Sequence, residues 1–358
     1  MKNIRLLIVA TLSIILLQAC TSTSKKEGSN SDIKIITVDL NQPIETKNIQ
    51  EIVSSITVLK LEEIEDNPIG VIDKMLITNT NIYILDSQRS KSLFIYDRTG
   101  KCKQVIHHVG SGPGEFIRPD DFDIQKNTGN LVILDGNQRK LLVYKKNGDF
   151  ISELKLETHI NSFLTINDNY IVLNKGNTMS DHSNNQIRIV DLKGNTITEL
   201  LPISEYAKEI TISPRNPLQK FYNDTILFMP PLSDQIYEIY ENEISLRYQL
   251  NFEKYWPEKG YFEQEKGNHP LKIAQNLVAN DYAAFFNYLE TKEVLHVNFS
   301  YKHKPISFYY NKKSGTSLLF NIADENFSFP LTVEGSSFVR AVYFEDKNPM
   351  LIFYDLNM

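Results

Sequence analysis

Three charged side chains around Pro119 form the first group whose types and spacing could bind a ligand. Arg118, Asp120 and Asp121 lie within four consecutive residues. Polar groups that converge at the mouth of a pore make a ligand site. The other interpretation is an ion pair that only holds the crossover in place and binds no ligand. Such surface charge pairs are common and contribute little energy. The spacing supports both interpretations.

Histidines form the second group, because converging imidazoles could hold a zinc ion. His159, His182, His269 and His303 fall in or beside predicted loops of one face of the molecule. Their spacing is irregular and no H-x-H or H-E-x-x-H motif occurs, so the sequence assigns no metal ligand. A calcium site built from Asp, Asn and Glu is equally open. The cofactor is therefore unknown: none, calcium and zinc are all allowed.

The glycine-rich segment 110–114 superficially resembles a phosphate-binding loop. However, Pro113 removes one backbone N–H, no helix pattern follows, and the Lys-Ser/Thr of a P-loop is missing. The segment instead predicts a tight crossover that packs Phe116 between neighbouring β units. No G-x-S-x-G elbow occurs, and no acid–base pair can be placed near Cys102. No catalytic residue is predicted.

The first twenty residues have the pattern of a secretory signal. Lys2 and Arg5 form a basic start, and Leu6–Leu17 is an apolar run too short for a comfortable membrane span. Cys20 follows a small residue, which resembles the bacterial lipoprotein lipobox. The resemblance implies that residues 1–19 are removed and that Cys20 is lipidated. An ordinary signal peptide with an incidental cysteine is the alternative.

Residues 20–32 are polar and predict a flexible tether between the lipid and a folded domain. Thr21, directly after the cysteine, resembles the pattern of outer-membrane lipoproteins. We therefore expect a protein held at the outer membrane by its N-terminal lipid, facing the periplasm or the cell surface. Without Cys20 only Cys102 remains, so no intrachain disulfide can form.

Composition excludes some classes of partner. The 358 residues carry a formal net charge of −6, with acidic and basic residues interspersed. No basic stripe occurs, which argues against nucleic-acid binding. No second apolar run approaches the length of a membrane span.

A β-rich unit repeats along the chain and explains several glycines. Gly100, Gly148 and Gly194 stand 48 and 46 residues apart, which is the length of a four-stranded propeller blade. Asp or Asn precedes each glycine, as in tight hairpins whose last residue has a positive φ. The flanking apolar runs have four to six residues and are rich in Ile, Val, Leu, Phe and Tyr, which favours strands.

The ends of the chain predict how the ring closes. Residues 338–344 and 350–354 supply half of a last unit, while residues 33–38 and 56–61 are two β-rich segments before the first. Two C-terminal and two N-terminal strands would complete one sheet and leave no exposed strand edges. The prediction is an all-β protein, a six-bladed β-propeller over residues 33–358.

Long loops fall on one predicted face, which we call the top. The loops between the second and third strands of each blade and the crossovers between blades share this face. The long ones are 176–186, 201–217 with Arg215, and 252–277 within an insert at about 251–282. Trp256 in the insert could stack on a ligand, or it could belong to a small helical plug. The candidate ligand-binding residues are Arg118, Asp120, Asp121, His159, Arg215 and Trp256.

Segment 109–119 resembles the G-x-G-x-G-x-F-x-x-P segment of NHL-type propellers. The chain is more similar to the six-bladed propeller lipoproteins of Bacteroidetes, through residues 53–62, the Ile69-Gly70 pair and residues 345–352. This resemblance implies the fold and the envelope compartment, but it implies no reaction.

Two functions of different classes follow. The first is a non-catalytic binding or scaffold module whose top face takes a glycan, a peptide or an envelope protein. The second is a hydrolase or lyase with a metal bound in the central pore, as in some six-bladed amidating lyases and lactonase-like propellers.

Overall fold

The computed structural model describes residues 33–166, 168–177, 183–208, 214–265, 267–322, 329–345 and 347–358. The predicted signal (1–19), the tether (20–32) with Cys20, and His182 lie outside the described residues. Lys34–Met358 form one compact unit. In the described ranges, no helix has the length and apolar character needed to span a bilayer.

The described residues form six sheets, and each sheet is one blade of a propeller. Three strands precede the first blade: β1 (Lys34–Thr37), β2 (Glu45–Lys47) and β3 (Val53–Lys60). Blade 1 consists of β4 (Lys74–Ile77), β5 (Asn81–Asp86), β6 (Ser92–Asp97) and β7 (Cys102–Ile106). Blade 2 consists of β8 (Asp121–Ile124), β9 (Leu131–Asp135), β10 (Lys140–Tyr144) and β11 (Phe150–Lys155). Blade 3 consists of β12 (Ser162–Ile166), β13 (Tyr170–Asn174), β14 (Asn185–Asp191) and β15 (Thr196–Pro202).

The remaining blades follow in chain order. Blade 4 consists of β16 (Leu218–Lys220), β17 (Ile226–Phe228), β18 (Gln235–Tyr240) and β19 (Glu243–Asn251). Blade 5 consists of β20 (Ala284–Glu290), β21 (Val294–Tyr301), β22 (Lys304–Asn311) and β23 (Ser317–Ile322). Blade 6 consists of β24 (Thr332–Glu334), β25 (Ser337–Phe344) and β26 (Lys347–Leu356), together with β3. The first strand of each blade contacts the first strand of the next, so these six inner strands surround a central channel.

Turn chemistry accounts for the hairpins. Gly100, Gly148 and Gly194 have φ values of 85°, 85° and 89°, a region in which a side chain is strained. Gly100 also has no room for one, because an added Cβ would lie 2.1 Å from the backbone oxygen of Lys60. The repeat predicted from these glycines is confirmed as the hairpin between the third and fourth strands of blades 1 to 3.

The hydrophobic core is divided into six layers, one between each pair of neighbouring blades. The middle strands are buried on both faces: Ile82, Ile84 and Leu85 of β5 are fully buried, and Ile82 and Leu85 pack into different layers. Sheets buried on both faces require nearly continuous apolar runs, as predicted. The six-bladed β-propeller is confirmed.

The N-terminal chain closes the ring, but it supplies one strand of the closing sheet and not two. β3 pairs antiparallel with β26, from Val53 opposite Leu356 to Lys60 opposite Met350. The short strand β24, which the sequence analysis missed, provides the inner edge of blade 6. Three C-terminal strands and one N-terminal strand therefore form the blade.

The first β-rich segment has a different place from the one expected. β1 pairs in parallel with the outer strand β19 of blade 4, and β2 pairs in parallel with the outer strand β23 of blade 5. Ile36, Val38 and Leu40 are buried in the layer between these blades. The chain thus covers two exposed sheet edges before it reaches blade 6.

The glycine-rich segment 110–114 is a structural crossover, as predicted. Phe116 is fully buried in the layer between blades 1 and 2. The Glu115 carboxylate accepts the Gly112 N–H at 2.8 Å, and the Tyr144 hydroxyl donates to the Gly114 carbonyl at 2.9 Å. The chain's own groups therefore occupy this turn.

Candidate functional site

Five of the six predicted ligand-binding residues meet at the top of the central channel. Arg118, Asp120, Asp121, His159 and Arg215 line one cavity of about 280 Å³. We call this cavity the top mouth; it is also lined by polar side chains that begin the inner strands of blades 1 and 3, Asp73 and Asn161. Arg118 and its neighbours indicated this site in the sequence, but Asp73 was not predicted.

Two aspartates hold the loops of the top mouth in place. Asp73 directly precedes β4, and its carboxylate accepts the backbone N–H of Ser87 at 2.8 Å. Asp120 directly precedes β8 and accepts the N–H of Gly136 in the same way, also at 2.8 Å. Ser87 and Gly136 each follow the second strand of their blade. The aspartates therefore join the start of an inner strand to the next top loop.

Each of these aspartates also faces an arginine. Arg118 Nε lies 2.5 Å from an oxygen of Asp120, and its side chain is 38% exposed. Arg215 Nη2 lies 3.6 Å from Asp73, donates to the Ile72 carbonyl, and belongs to a side chain that is 44% exposed. Burial raises the pKa of Asp73, and Arg215 offsets only part of that effect. Two guanidinium groups and two carboxylates thus surround the mouth with nearly balanced charge.

Arg118 and Asp120 form the ion pair that was one of the two interpretations of this segment. The pair still leaves N–H donors of Arg118 that a ligand could use. The two Nη groups of Arg118 have no partner among the described residues. A planar guanidinium has five N–H donors, so most of them remain available to a solute.

Asp121 belongs to the channel wall below the mouth and is buried. One oxygen accepts from Lys74 Nζ at 2.7 Å and the other accepts the Phe163 N–H of β12 at 2.9 Å. Two residues on, one oxygen of Asp123 accepts from both Lys220 Nζ at 2.7 Å and the Thr165 N–H at 2.7 Å. These carboxylates join the inner strands of blades 2 and 3, so Asp121 is occupied structurally.

The pKa values of the two carboxyl groups shift in opposite directions. Burial raises the pKa of Asp121 despite the nearby Lys74. For Asp123, burial also acts upward, but the charges of Lys220 and Lys74 outweigh it and lower the pKa. Three residues of the channel wall were not predicted from the sequence: Asp123, Lys74 and Lys220. A charged residue on each of three inner strands, where apolar residues would be expected, could have indicated them.

Of the three candidate histidines that the structure describes, only His159 lines the top mouth. His159 is exposed at the top mouth beside Gly136, while the ring of His269 accepts the Leu271 N–H at the start of a helix. His303 lies in the turn between β21 and β22. Within the described ranges, no group of three or more His, Cys, Asp or Glu side chains is arranged to hold a metal.

Trp256 lies apart from the top mouth. It packs against Phe252, Phe262 and Phe286 with ring centroids 5.4 to 6.4 Å apart. The insert around it contains two helices, α1 (Lys259–Gln264) and α2 (Pro270–Ala279). Phe262 of α1 is buried against α2 and blade 5. This is the arrangement of the helical plug, the second of the two interpretations of Trp256.

A larger cavity opens at the opposite end of the channel, which we call the bottom. It measures about 890 Å³ and is lined by the turns between the first and second strands of blades 1, 2 and 4 and by the inner strand of blade 3. It meets the top mouth at Lys74, Asn216 and Leu218. Only the long top loops indicated a ligand site in the sequence, because the short turns at the bottom have no unusual length.

Comparison with known proteins identifies a family and a shared fold. A family model described as a domain of unknown function, DUF4934, matches residues 34–355. A Bacteroides fragilis protein, provisionally described as exported, has 19% identity and a TM-score of 0.79, over 91% of this chain and 100% of its own. A duf4221 family member from Bacteroides vulgatus has 12% identity and a TM-score of 0.59, over 85% of this chain and 97% of its own. No curated protein matches the sequence. At these identities the two structures show the fold alone.

Proposed function

The chain belongs to the DUF4934 family, and from its channel we propose that it is an exported, lipid-anchored binding module that takes a glycan segment at the top mouth. The observation that carries the proposal is the charge-balanced, polar lining of that mouth. Arg118 and Arg215 are each paired with a carboxylate, yet both remain partly exposed.

A polyhydroxylated ligand fits this lining better than a charged one. Hydroxyl groups donate and accept hydrogen bonds, and the mouth offers guanidinium donors beside carboxylate and amide acceptors such as Asp120 and Asn161. Because the charges nearly cancel, a strongly charged ligand would gain little net attraction.

An adjoining cavity supplies the apolar surface that a sugar ring needs. It measures about 270 Å³, shares Arg215 and Asn216 with the top mouth, and includes Tyr343 and Phe329. The Tyr343 hydroxyl accepts the Ile72 N–H at 3.1 Å, which fixes the ring while 39% of the residue stays exposed. A fixed, exposed aromatic ring offers contact area at little entropic cost.

The lipid anchor is proposed from the sequence. The signal pattern of residues 1–19, Cys20 and the polar tether support attachment to the outer membrane. The provisional description of the Bacteroides fragilis protein as exported agrees with an envelope location.

Glycan binding can be tested on the purified full-length protein in mild detergent. We expect binding to neutral oligosaccharides on a glycan array, with affinities then measured by titration calorimetry. Arg118→Ala should weaken binding by about tenfold, since a hydrogen bond to a charged group contributes about 1.5 kcal/mol. Arg98→Ala is the matched control, because Arg98 is 33% exposed and also pairs with one carboxylate at 2.5 Å, that of Glu334, in a turn at the bottom.

Other outcomes would redirect or reject the proposal. Binding to peptides or to an envelope protein, with no glycan bound, would refute the glycan assignment, as would equal effects of Arg118→Ala and Arg98→Ala. Stoichiometric zinc or calcium in the purified protein, lost with activity on chelation, would support the alternative of a metal-dependent hydrolase or lyase.

Lipidation is tested separately. Cells that express the protein are labelled with an alkyne fatty acid, and the label should enter the wild type but not Cys20→Ser. The variant should also move from the membrane fraction to the soluble fraction. Equal labelling of both proteins would reject the anchor.

A further inference from the structure

The bottom cavity has the size of a small-molecule site. Its volume of about 890 Å³ lies within the range of ligand pockets. Short turns of blades 1, 2 and 4 and the inner strands of blades 3 and 6 line it. None of the residues chosen from the sequence as a ligand site contributes to it.

The charged residues of the bottom cavity are mostly lysines. Five lysines and two aspartates line it, and four of these lysines are paired with a carboxylate. Lys74 and Lys220 are paired with Asp121 and Asp123 of the channel wall, and their side chains are 11% and 39% exposed. Three further lysines line the cavity with exposed side chains: Lys103, Lys126 and Lys146.

The rim lysines differ in how strongly they are engaged. Lys126 Nζ lies 2.8 Å from Asp224, a pair that joins turns of blades 2 and 4, and Lys103 Nζ lies 3.3 Å from Asp97. Lys146 has no ion-pair partner in the described part of the chain. The rim therefore holds cationic charge that the protein neutralises only in part.

The walls between these lysines are apolar. Leu76, Ile77, Leu164, Ile166 and Leu218 all line the cavity. Several of them also belong to the hydrophobic layers between blades, so the walls are rigid. A ligand would bury apolar surface mainly on the half-buried Leu76 and Ile77, because Leu164, Ile166 and Leu218 are at most 6% exposed. Such burial is favourable in proportion to the area removed from water.

We propose that the bottom cavity binds one soluble organic anion with an apolar body, such as a medium-chain carboxylate. The hydrocarbon would lie against the leucine and isoleucine walls, and the carboxylate would meet Lys126 and Lys146 at the rim. A concave site admits single molecules rather than the face of a bilayer, so a free anion fits better than an anionic lipid surface. This site is separate from the proposed glycan site.

The test uses decanoate, kept monomeric, as the probe with the purified full-length protein. Titration calorimetry should show saturable binding to one site. Decanol and decyltrimethylammonium have similar chains without the negative charge, and acetate has the charge without the chain. Each should bind at least about tenfold more weakly, and a roughly tenfold rise in ionic strength should weaken decanoate binding. Equal binding of decanoate and decanol would overturn the proposal.

Variants locate the site. Lys126→Gln combined with Lys146→Gln should weaken decanoate binding about three- to tenfold, as expected for two exposed charge pairs. Lys145→Gln is the matched control: Lys145 neighbours Lys146, pairs with Asp149 and does not line the cavity. Arg118→Ala should also leave decanoate binding unchanged. All four lysine and arginine positions are exposed or partly exposed, so the variants should fold.

Vesicles distinguish the source of the anion. If the protein with Cys20→Ser binds vesicles that contain an anionic phospholipid, and decanoate does not compete, the site is a lipid-surface contact and the proposal fails. Two results support a free anion as the ligand. Either decanoate displaces the vesicles from the protein, or the protein binds decanoate in the calorimeter and binds no vesicles. An unchanged affinity in the Lys126, Lys146 double variant would also reject the site.

Discussion

Asn348 is the side chain that holds the two ends of the ring together. It is 3% exposed. Its carbonyl oxygen accepts the Ile69 N–H at 2.9 Å, and its amide donates to the Glu62 carbonyl at 2.8 Å and to the Tyr96 hydroxyl at 3.3 Å. One residue of blade 6 thereby binds both the end of the closing strand and blade 1. We expect Asn348→Ala to destabilise the protein as a whole.

The magnitude follows from the groups left behind. The substitution deprives the buried Ile69 N–H of its acceptor, and an unsatisfied buried group costs about 1 to 3 kcal/mol. The Glu62 carbonyl loses one of its two donors, a net loss of about 1 kcal/mol. The Tyr96 hydroxyl keeps a contact with Glu62 at 3.3 Å. The expected loss is therefore about 3 kcal/mol of unfolding free energy, within a range of about 2 to 5.

Urea unfolding followed by circular dichroism and by tryptophan fluorescence measures the loss, because Trp256 is the single tryptophan and lies far along the chain from the closure. Both probes should report the same lowered midpoint. Asn357→Ala is the control: its side chain is exposed near the same terminus, and its effect should stay within about 0.5 kcal/mol. A loss below about 1 kcal/mol for Asn348→Ala would refute the reasoning.

Two further predictions concern a buried base and the N-terminal strands. Burial lowers the pKa of His296 to about 3. Below about pH 6.5 the unfolded chain therefore binds a proton that the folded protein does not, and the folded state loses stability. Between about pH 8 and pH 5, the unfolding free energy of wild type should fall by about 2 kcal/mol relative to that of His296→Phe. Exposed His159→Phe should show no such difference in urea midpoints, and parallel pH curves for wild type and His296→Phe would contradict the assignment. Deleting residues 33–43 removes Ile36, Val38 and Leu40 from the layer between blades 4 and 5, which should cost about 5 kcal/mol yet leave calorimetric unfolding cooperative. Deleting residues 33–61 should abolish it, and a deletion protein that melted like wild type would contradict ring closure.

Comparison of wild type and variant at each pH is needed because another group acts in the opposite direction. Burial raises the pKa of Asp234 to about 6. A raised carboxyl pKa makes the folded state gain stability as pH falls from about 6 towards the unfolded value. The difference between wild type and His296→Phe cancels this contribution, which both proteins share.

The candidate site was only partly accessible to sequence reasoning. Arg118, Asp120 and Arg215 were placed on the top face because loop position follows from strand order. That Asp121 is used inside the wall could not be read from its neighbours, since Lys74 lies 47 residues away. The insert showed aromatic side chains, but only their packing decides that Trp256 contacts Phe252 and Phe286.

The blades themselves were determined by the sequence. A hairpin needs a residue with positive φ at a set place in its turn, and Gly100, Gly148 and Gly194 mark those places at a nearly constant spacing. Apolar runs of strand length next to each turn complete a four-stranded unit. Both signals are local, so they can be read without knowing the partners of any strand in other blades.

Tertiary structure alone decided which distant strands pair and which spaces stay open. β1 and β3 have similar β-forming compositions, yet β1 lies parallel to β19 and β3 lies antiparallel to β26. A strand's side-chain alternation shows which face is buried, but the backbone groups that choose its neighbour are the same in every residue. The bottom cavity has the same origin, because its lysines and leucines become neighbours only when the ring brings six separate sheets around one axis.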